Sequence, residues 1–324
     1  MRRREFITLL ASAAVAWPLV AFAQQFDQMH RVGILAQDLQ PGLLEAFRDE
    51  LQRFGYVEGK TVTIEVRNAS GQNERLPELV DDLLRLKIDV ILAVNTPAAK
   101  AAKKATKTVP IVILRVADPV KSGLVASLAR PGGNVTGLSF MPDELAAKGI
   151  EMLREALPKF LRVGAIYSGN NAGALVVIHG VESKSGQLGL RVLRLPVTGP
   201  KDYAGAFNNA SHAQVEAVFV MDDGAITKKR HVILGLAAKH SLPVVAVYRD
   251  FAKAGAVIAY GPDLNILYRR SAYYVDRLFK GAVAENLPVE QPTKFDLVVN
   301  LKTAKALGLT IPPSVLLRAD EIIE

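Results

Sequence analysis

Arg31-Val-Gly-Ile-Leu-Ala36 and Arg162-Val-Gly-Ala-Ile-Tyr167 share one pattern: an Arg, a Val-Gly pair and a short apolar run. Two further pairs keep nearly the same spacing. Ile88–Val94 is echoed by Val215–Met221, and Val109-Pro-Ile-Val-Ile-Leu-Arg115 by Leu242-Pro-Val-Val-Ala-Val-Tyr248. The offsets are 131 (162 − 31), 127 (215 − 88) and 133 (242 − 109) residues. Such agreement reads as one unit written twice. The runs are almost continuously Val, Ile, Leu and Ala rather than alternating, the mark of parallel strands buried on both faces.

Helical patterns separate the runs. Residues 41–54 place Leu43, Leu44, Phe47, Leu51 and Phe54 on one face, and Gly55 stops them. Thr61–Val66 is the expected second strand, echoed by Leu190–Val197, and a helix is expected over residues 74–86. Another opens at Thr96-Pro97, read as an N-cap followed by Pro at the first helical position. The fold class expected is α/β: two doubly wound parallel-sheet lobes, with one large open sheet as the alternative. Gly132–Gly137 and Ala259–Pro262 are expected as linkers between the lobes, and closure as a hinge motion about them.

Composition narrows the function. The chain has 324 residues, 50% hydrophobic and 22% charged, a globular balance with room for about two domains. The absence of Cys excludes disulfides, thiolate metal sites and a cysteine nucleophile. No G-x-S-x-G elbow, Ser-x-x-Lys, Walker loop, G-x-G-x-x-G or H-E-x-x-H occurs, so no motif calls for an enzyme or a cofactor. The net charge of +8 is dispersed, and its densest clusters (Lys100, Lys103, Lys104, Lys107; Lys228, Lys229, Arg230) have the spacing of solvated helix faces. No nucleic-acid partner is expected.

Residues 1–23 read as an export leader. Met1–Arg4 is basic, an apolar run follows from Phe6 to Phe22, and Ala21-Phe22-Ala23 precedes Gln24 as a cleavage signature. Arg3-Arg4-Glu5-Phe6-Ile7 resembles a twin-arginine signal. The expected location is the periplasm, with cleavage after Ala23. A retained anchor is the alternative, opposed by Pro18 and by the shortness of the run.

In open parallel sheets, ligands bind beyond the carboxyl ends of the strands. The candidates are therefore Gln37 and Asp38, Asn95 and Thr96, Asp118, Ser168 and Asn170, and Asp222. Thr96 is preferred, because a helix N-terminus suits an anion; an ordinary cap is the alternative. Asp118 and Asp222 suit a ligand ammonium group; the alternative, which is what Asp after a strand usually does, is to cap the next helix. Tyr248 and Tyr260 are candidates to wall the cleft, unless they are core tyrosines with satisfied hydroxyls.

One long run, Asp118-Pro-Val-Lys-Ser-Gly-Leu-Val-Ala-Ser-Leu-Ala-Arg-Pro-Gly-Gly-Asn-Val-Thr-Gly137, resembles the signature of ABC-transporter substrate-binding proteins, in the group associated with tryptophan or tyrosine uptake. Tyr260–Arg270, Tyr274–Gly281, Leu287–Asn300, Lys302–Pro313 and Ala319–Glu324 resemble the same group. The resemblance implies a type I periplasmic-binding-protein fold with a three-segment hinge. The implied division is residues 1–23 as leader, 27–135 with 262–284 as one lobe, and 136–261 with 285–324 as the other. It also implies a monomer that captures an amino acid or related carboxylate and delivers it to an ABC permease in the inner membrane. Service to a membrane signalling protein is the alternative. The family's Asn-Pro-Asn-Asn-type loop reads Ser168-Gly169-Asn170-Asn171 here, without the Pro.

Overall fold

The computed structural model describes residues 29–324 except Gln40, Met141, Asp222 and Asp223. The expected leader and the candidate Asp222 lie outside the described residues. Five parallel strands form the first sheet: β1 (His30–Ala36), β2 (Val62–Asn68), β3 (Val90–Val94), β4 (Ile111–Val116) and β5 (Val135–Ser139), in spatial order β2-β1-β3-β4-β5. The second sheet has seven: β6 (Arg162–Ser168), β7 (Arg191–Val197), β8 (Ala217–Val220), β9 (Val244–Ala246), β10 (Ile258–Gly261), β11 (Asp296–Asn300) and β12 (Glu321–Ile323). Its order is β12-β11-β10-β9-β8-β6-β7. From β6 to β10 it repeats the first sheet strand for strand, so the sequence repeat is a repeat of topology.

The Val-Gly pair at each repeat start has a packing cause. A Cβ on Gly33 would lie 2.4 Å from Ile88 Cδ1, and one on Gly164 would lie 2.6 Å from Leu195 Cδ1. In both lobes, side chains close over the first strand at the point where glycine leaves room.

Helices cover both faces. In the first lobe these are α1 (Pro41–Arg53), α2 (Leu76–Arg85, after a short 3-10 turn) and α3 (Thr96–Ala105). In the second they are α4 (Pro142–Ala156), α5 (Ala172–Gln187), α6 (Asp202–His212), α7 (Gly224–Lys228), α8 (Arg230–Lys239) and α9 (Arg249–Ala254). The amphipathic helix α10 (Leu264–Phe279) returns to the first lobe and packs on α1 and β4. Tyr56 Oη donates to Asp276 Oδ1 of α10 at 3.1 Å. The chain ends in the second lobe with α11 (Leu301–Ala306) and α12 (Pro313–Leu316) around β11 and β12.

The chain passes between the sheets after Ser139, after Gly261 and between Glu290 and Asp296. Two expectations change here. Gly132–Gly137 and Ala259–Pro262 are not free linkers: Val135–Gly137 lies in β5 and Ala259–Gly261 in β10. Gly137 and Gly261 mark close backbone approach within a sheet. A Cβ on Gly137 would lie 2.4 Å from Ile113 O, and one on Gly261 would lie 2.2 Å from Val247 O. The second sheet is also not wholly parallel, because β11 enters from the third crossing and runs antiparallel to β10. Among the described residues, no helix is long and apolar enough to cross a membrane.

Candidate functional site

The carboxyl ends of β1, β3 and β4 face those of β6, β8 and β9 across a gap. Between them lies a pocket, at the strand ends where open parallel sheets bind small molecules. The first lobe supplies Asn95, Thr96, Arg115 and Ala117. The second supplies Asn171, Ala174, Val177, Phe219, Met221 and Val247, while Phe140 of the first crossing and Leu145 and Ala146 of α4 close one side. Polar groups therefore gather on the first lobe and apolar surface on the second, an arrangement that orients a ligand with one charged end and one apolar end.

Asn95 and Thr96 sit at the turn from β3 into α3. The expected cap shifts by one residue. Asn95 is the N-cap, with φ 76° and ψ 157°, and Thr96 opens the helix. That backbone region is almost exclusive to glycine and is strained for any other residue. Thr96 Oγ1 accepts the Ala117 N–H at 3.1 Å, which ties the β3 and β4 ends together. Its own hydroxyl proton remains available as a donor. Asn95 Oδ1 is buried and accepts nothing.

Arg115 was not among the sequence candidates. It is 3% exposed and has φ 58°, at the register irregularity between β4 and β5. Its Nε donates to Tyr248 Oη at 3.1 Å, and its guanidinium lies 4.8 Å from the centre of the Tyr248 ring. Arg115 and Tyr248 are equivalent positions of the two repeats, so matched residues meet across the cleft. The available signal was a charged residue inside the apolar run Ile111–Val116.

The other candidates are placed as follows. Gln37 follows β1, fully buried, and neither of its amide atoms has a partner. Asp38 is 4% exposed and lies 3.6 Å from Lys228 Nζ of the other lobe. Burial pushes its carboxyl above the usual range, against the lowering effect of Lys228. Ser168 Oγ donates to Asn170 Oδ1 at 2.7 Å, and both residues line a more polar recess beside Asp38. Asn73 Nδ2 reaches Asn170 O at 3.4 Å, a further bridge between lobes. Tyr248 backs the pocket through Arg115. Asp118 and Tyr260 stand apart from its lining: Asp118 accepts the Lys121 N–H at 2.9 Å and pairs with Lys121 Nζ at 3.1 Å, and Tyr260 stacks on Phe295. Among the described residues there is no cluster of side chains suited to a metal ion.

Comparison with known proteins follows this geometry. A family model described as ABC transporter substrate binding protein matches residues 34–323. A "Tyrosine-binding protein" of Clostridioides difficile is 26% identical over 269 residues, covering 83% of this chain and 76% of that one. A Streptococcus pneumonia ABC domain solved in complex with L-Trp superposes with a TM-score of 0.85 at 25% identity, covering 91% of this chain and 100% of that one. A Clostridium difficile substrate binding protein in its ligand-free, open form gives 0.66, also at 25% identity, covering 91% and 99%. At equal identity, the liganded relative fits better than the open one. That agrees with the contacts Arg115–Tyr248, Asp38–Lys228 and Asn73–Asn170, which hold the lobes together here.

Proposed function

Because this chain belongs to the ABC transporter substrate binding protein family, we propose that it is the exported receptor of an ABC importer, closing two lobes over an amino acid with an apolar, preferentially aromatic, side chain. Members of the family bind substrates and are not enzymes. The observation that carries the reading is the division of the pocket. The α3 N-terminus, Thr96 and the Arg115 guanidinium offer donors for a carboxylate. Phe140, Phe219, Met221 and Val247 offer apolar surface for a ring. Relatives that bind tyrosine and L-Trp support this class.

Closure brings donors from both lobes onto one ligand and excludes water, which strengthens each polar contact. The closed form then presents a changed outer surface to its partner, for which the family implies a membrane permease. Export to the periplasm follows the leader-like residues 1–23, and the receptor acts as a monomer. Calorimetry of the purified protein against L-tyrosine, L-tryptophan and L-phenylalanine tests the reading. Saturable one-to-one binding to at least one of them is expected. No binding to any of the three contradicts it.

A further inference from the structure

Phe219 of β8 lines the pocket, and its backbone is fixed on both sides, paired with Ala165 of β6 and Val245 of β9. The residue is 1% exposed. Its ring lies against Gly149, inside α4. A Cβ on Gly149 would stand 2.7 Å from Phe219 Cε2 and 3.3 Å from Cζ. Leu145 and Ala146, one turn earlier on α4, line the same pocket. The Phe219 side chain therefore reaches both the pocket and the α4 backbone.

Glycine in a helix interior is less favourable than alanine, so its presence there calls for a reason. Backbone geometry supplies none, because Gly149 is ordinary helix without a positive φ. Gly186, Gly205 and Gly235 also lie within helices, and a Cβ on any of them would meet nothing within 4 Å. Of these four, Gly149 alone would press on a neighbour, and that neighbour is a ring of the pocket. A methyl group at this position has to be accommodated by the ring. α4 is packed against α5, α12, β9 and β10, and β8 is held within its sheet, so neither backbone is free to retreat. Core side chains are close-packed, and the hollow that Phe219 lines is the space open to it.

We propose that Gly149 is a positioning residue for specificity: by leaving room for the Phe219 ring against α4, it sets how large an aromatic side chain the apolar half of the pocket admits. This rests on the amino-acid reading of the pocket given above. Gly149 touches no ligand in this account. It acts through Phe219, and filling its place with a methyl group moves the ring into the pocket at the expense of the larger ligand.

The test is calorimetry, by displacement where binding is weak, with L-phenylalanine and L-tryptophan. The two are measured on the wild type, Gly149→Ala, Phe219→Leu and the double variant. Gly149→Ala is expected to lower the ratio of tryptophan to phenylalanine affinity by at least about fivefold. In the Phe219→Leu background, where no ring stands in the way, the same substitution is expected to leave that ratio within about twofold. A Gly149 that serves only helix packing shifts melting temperature or weakens both ligands alike, and an unchanged ratio in Gly149→Ala overturns the proposal while leaving the receptor reading intact. A shift of equal size with and without the Phe219 ring overturns it too. Should Gly149→Ala fail to fold, Phe219→Leu alone decides. Shortening that side chain is expected to raise the ratio by about fivefold, and a ratio that does not rise is contrary to the proposal. A wild type that binds neither these two nor L-tyrosine defeats the amino-acid reading itself, and the proposal with it.

Discussion

Arg115 carries a positive charge into a strand that is otherwise apolar, and it reaches across the cleft to Tyr248. Replacing it by Met keeps the bulk and removes the donors. If the guanidinium holds the ligand carboxylate, affinity falls by about 1.5–3 kcal/mol, the scale of a hydrogen bond to a charged group. Calorimetry of Arg115→Met against whichever aromatic amino acid the wild type binds measures that loss, and unchanged affinity contradicts the assignment. Asp38 makes a prediction of a different kind. Its folded carboxyl holds a proton more tightly than the unfolded one, mainly through desolvation, so its ionised form costs stability at neutral pH. That cost is absent below the ordinary value of 3.8 and develops as pH rises past it. Asp38→Asn is therefore expected to melt no lower than wild type at pH 7 and to lose any advantage near pH 3.5–4, read from melting curves across pH. A variant clearly less stable at pH 7 would show that attraction to Lys228 outweighs burial. Legibility at this scale was uneven. Strand-end logic pointed to Asn95 and Thr96, because a parallel sheet directs these positions to one rim. It also pointed to Asp118 and Tyr260, whose side chains turn to Lys121 and Phe295. The direction of a side chain leaves no trace in spacing. Arg115 was overlooked because it sits inside a strand rather than past its end.

Among the elements, the eight strands read from apolar runs all appear, with ends shifted by a residue or two. The fifth strand of each lobe was hidden by glycine and proline. β5 and β10 look like linkers because Gly137 and Gly261 lie against the carbonyls of Ile113 and Val247, a tertiary reason with no local pattern. Gly261→Ala forces its new methyl onto Val247 O and is expected to destabilise the fold by about 1–3 kcal/mol, measured by urea denaturation. Wild-type stability would mean that β10 can move away from β9 at little cost. The third crossing has its own fastening. Arg270 of α10 makes a bidentate pair with Glu290 at 2.6 and 2.8 Å, and Glu290 bonds through its backbone to Gly137 and Ser139 of β5. The Arg270 hydrogen bonds hold the Glu290 carboxyl below the usual range. A depressed carboxyl stabilises the fold at neutral pH and loses that contribution as pH falls through its folded value. Both side chains are about two-fifths exposed (41% and 39%), so solvent screens the pair. A double-mutant cycle with Arg270→Met and Glu290→Gln should give about 0.5–1 kcal/mol of coupling at pH 7, diminishing on acidification. Coupling indistinguishable from zero at pH 7 contradicts this.

At the scale of the whole molecule, the duplication explains the site. Two copies of one topology face each other, so residues at equivalent positions, Arg115 and Tyr248, become neighbours. The lobes touch through few polar contacts around a hollow, and a ligand that bonds to both sides shifts the population towards closure. The absence of cysteine from the chain permits a direct test. Gln72 and Lys201, exposed on opposite sides of the cleft mouth, can be changed to Cys and spin-labelled with no competing thiol. Pulsed electron paramagnetic resonance then reads the distance between the lobes. Saturating L-tyrosine or L-tryptophan should collapse a broader, longer distribution to one narrow, shorter distance. A distribution that neither amino acid alters would contradict a receptor that closes over its ligand.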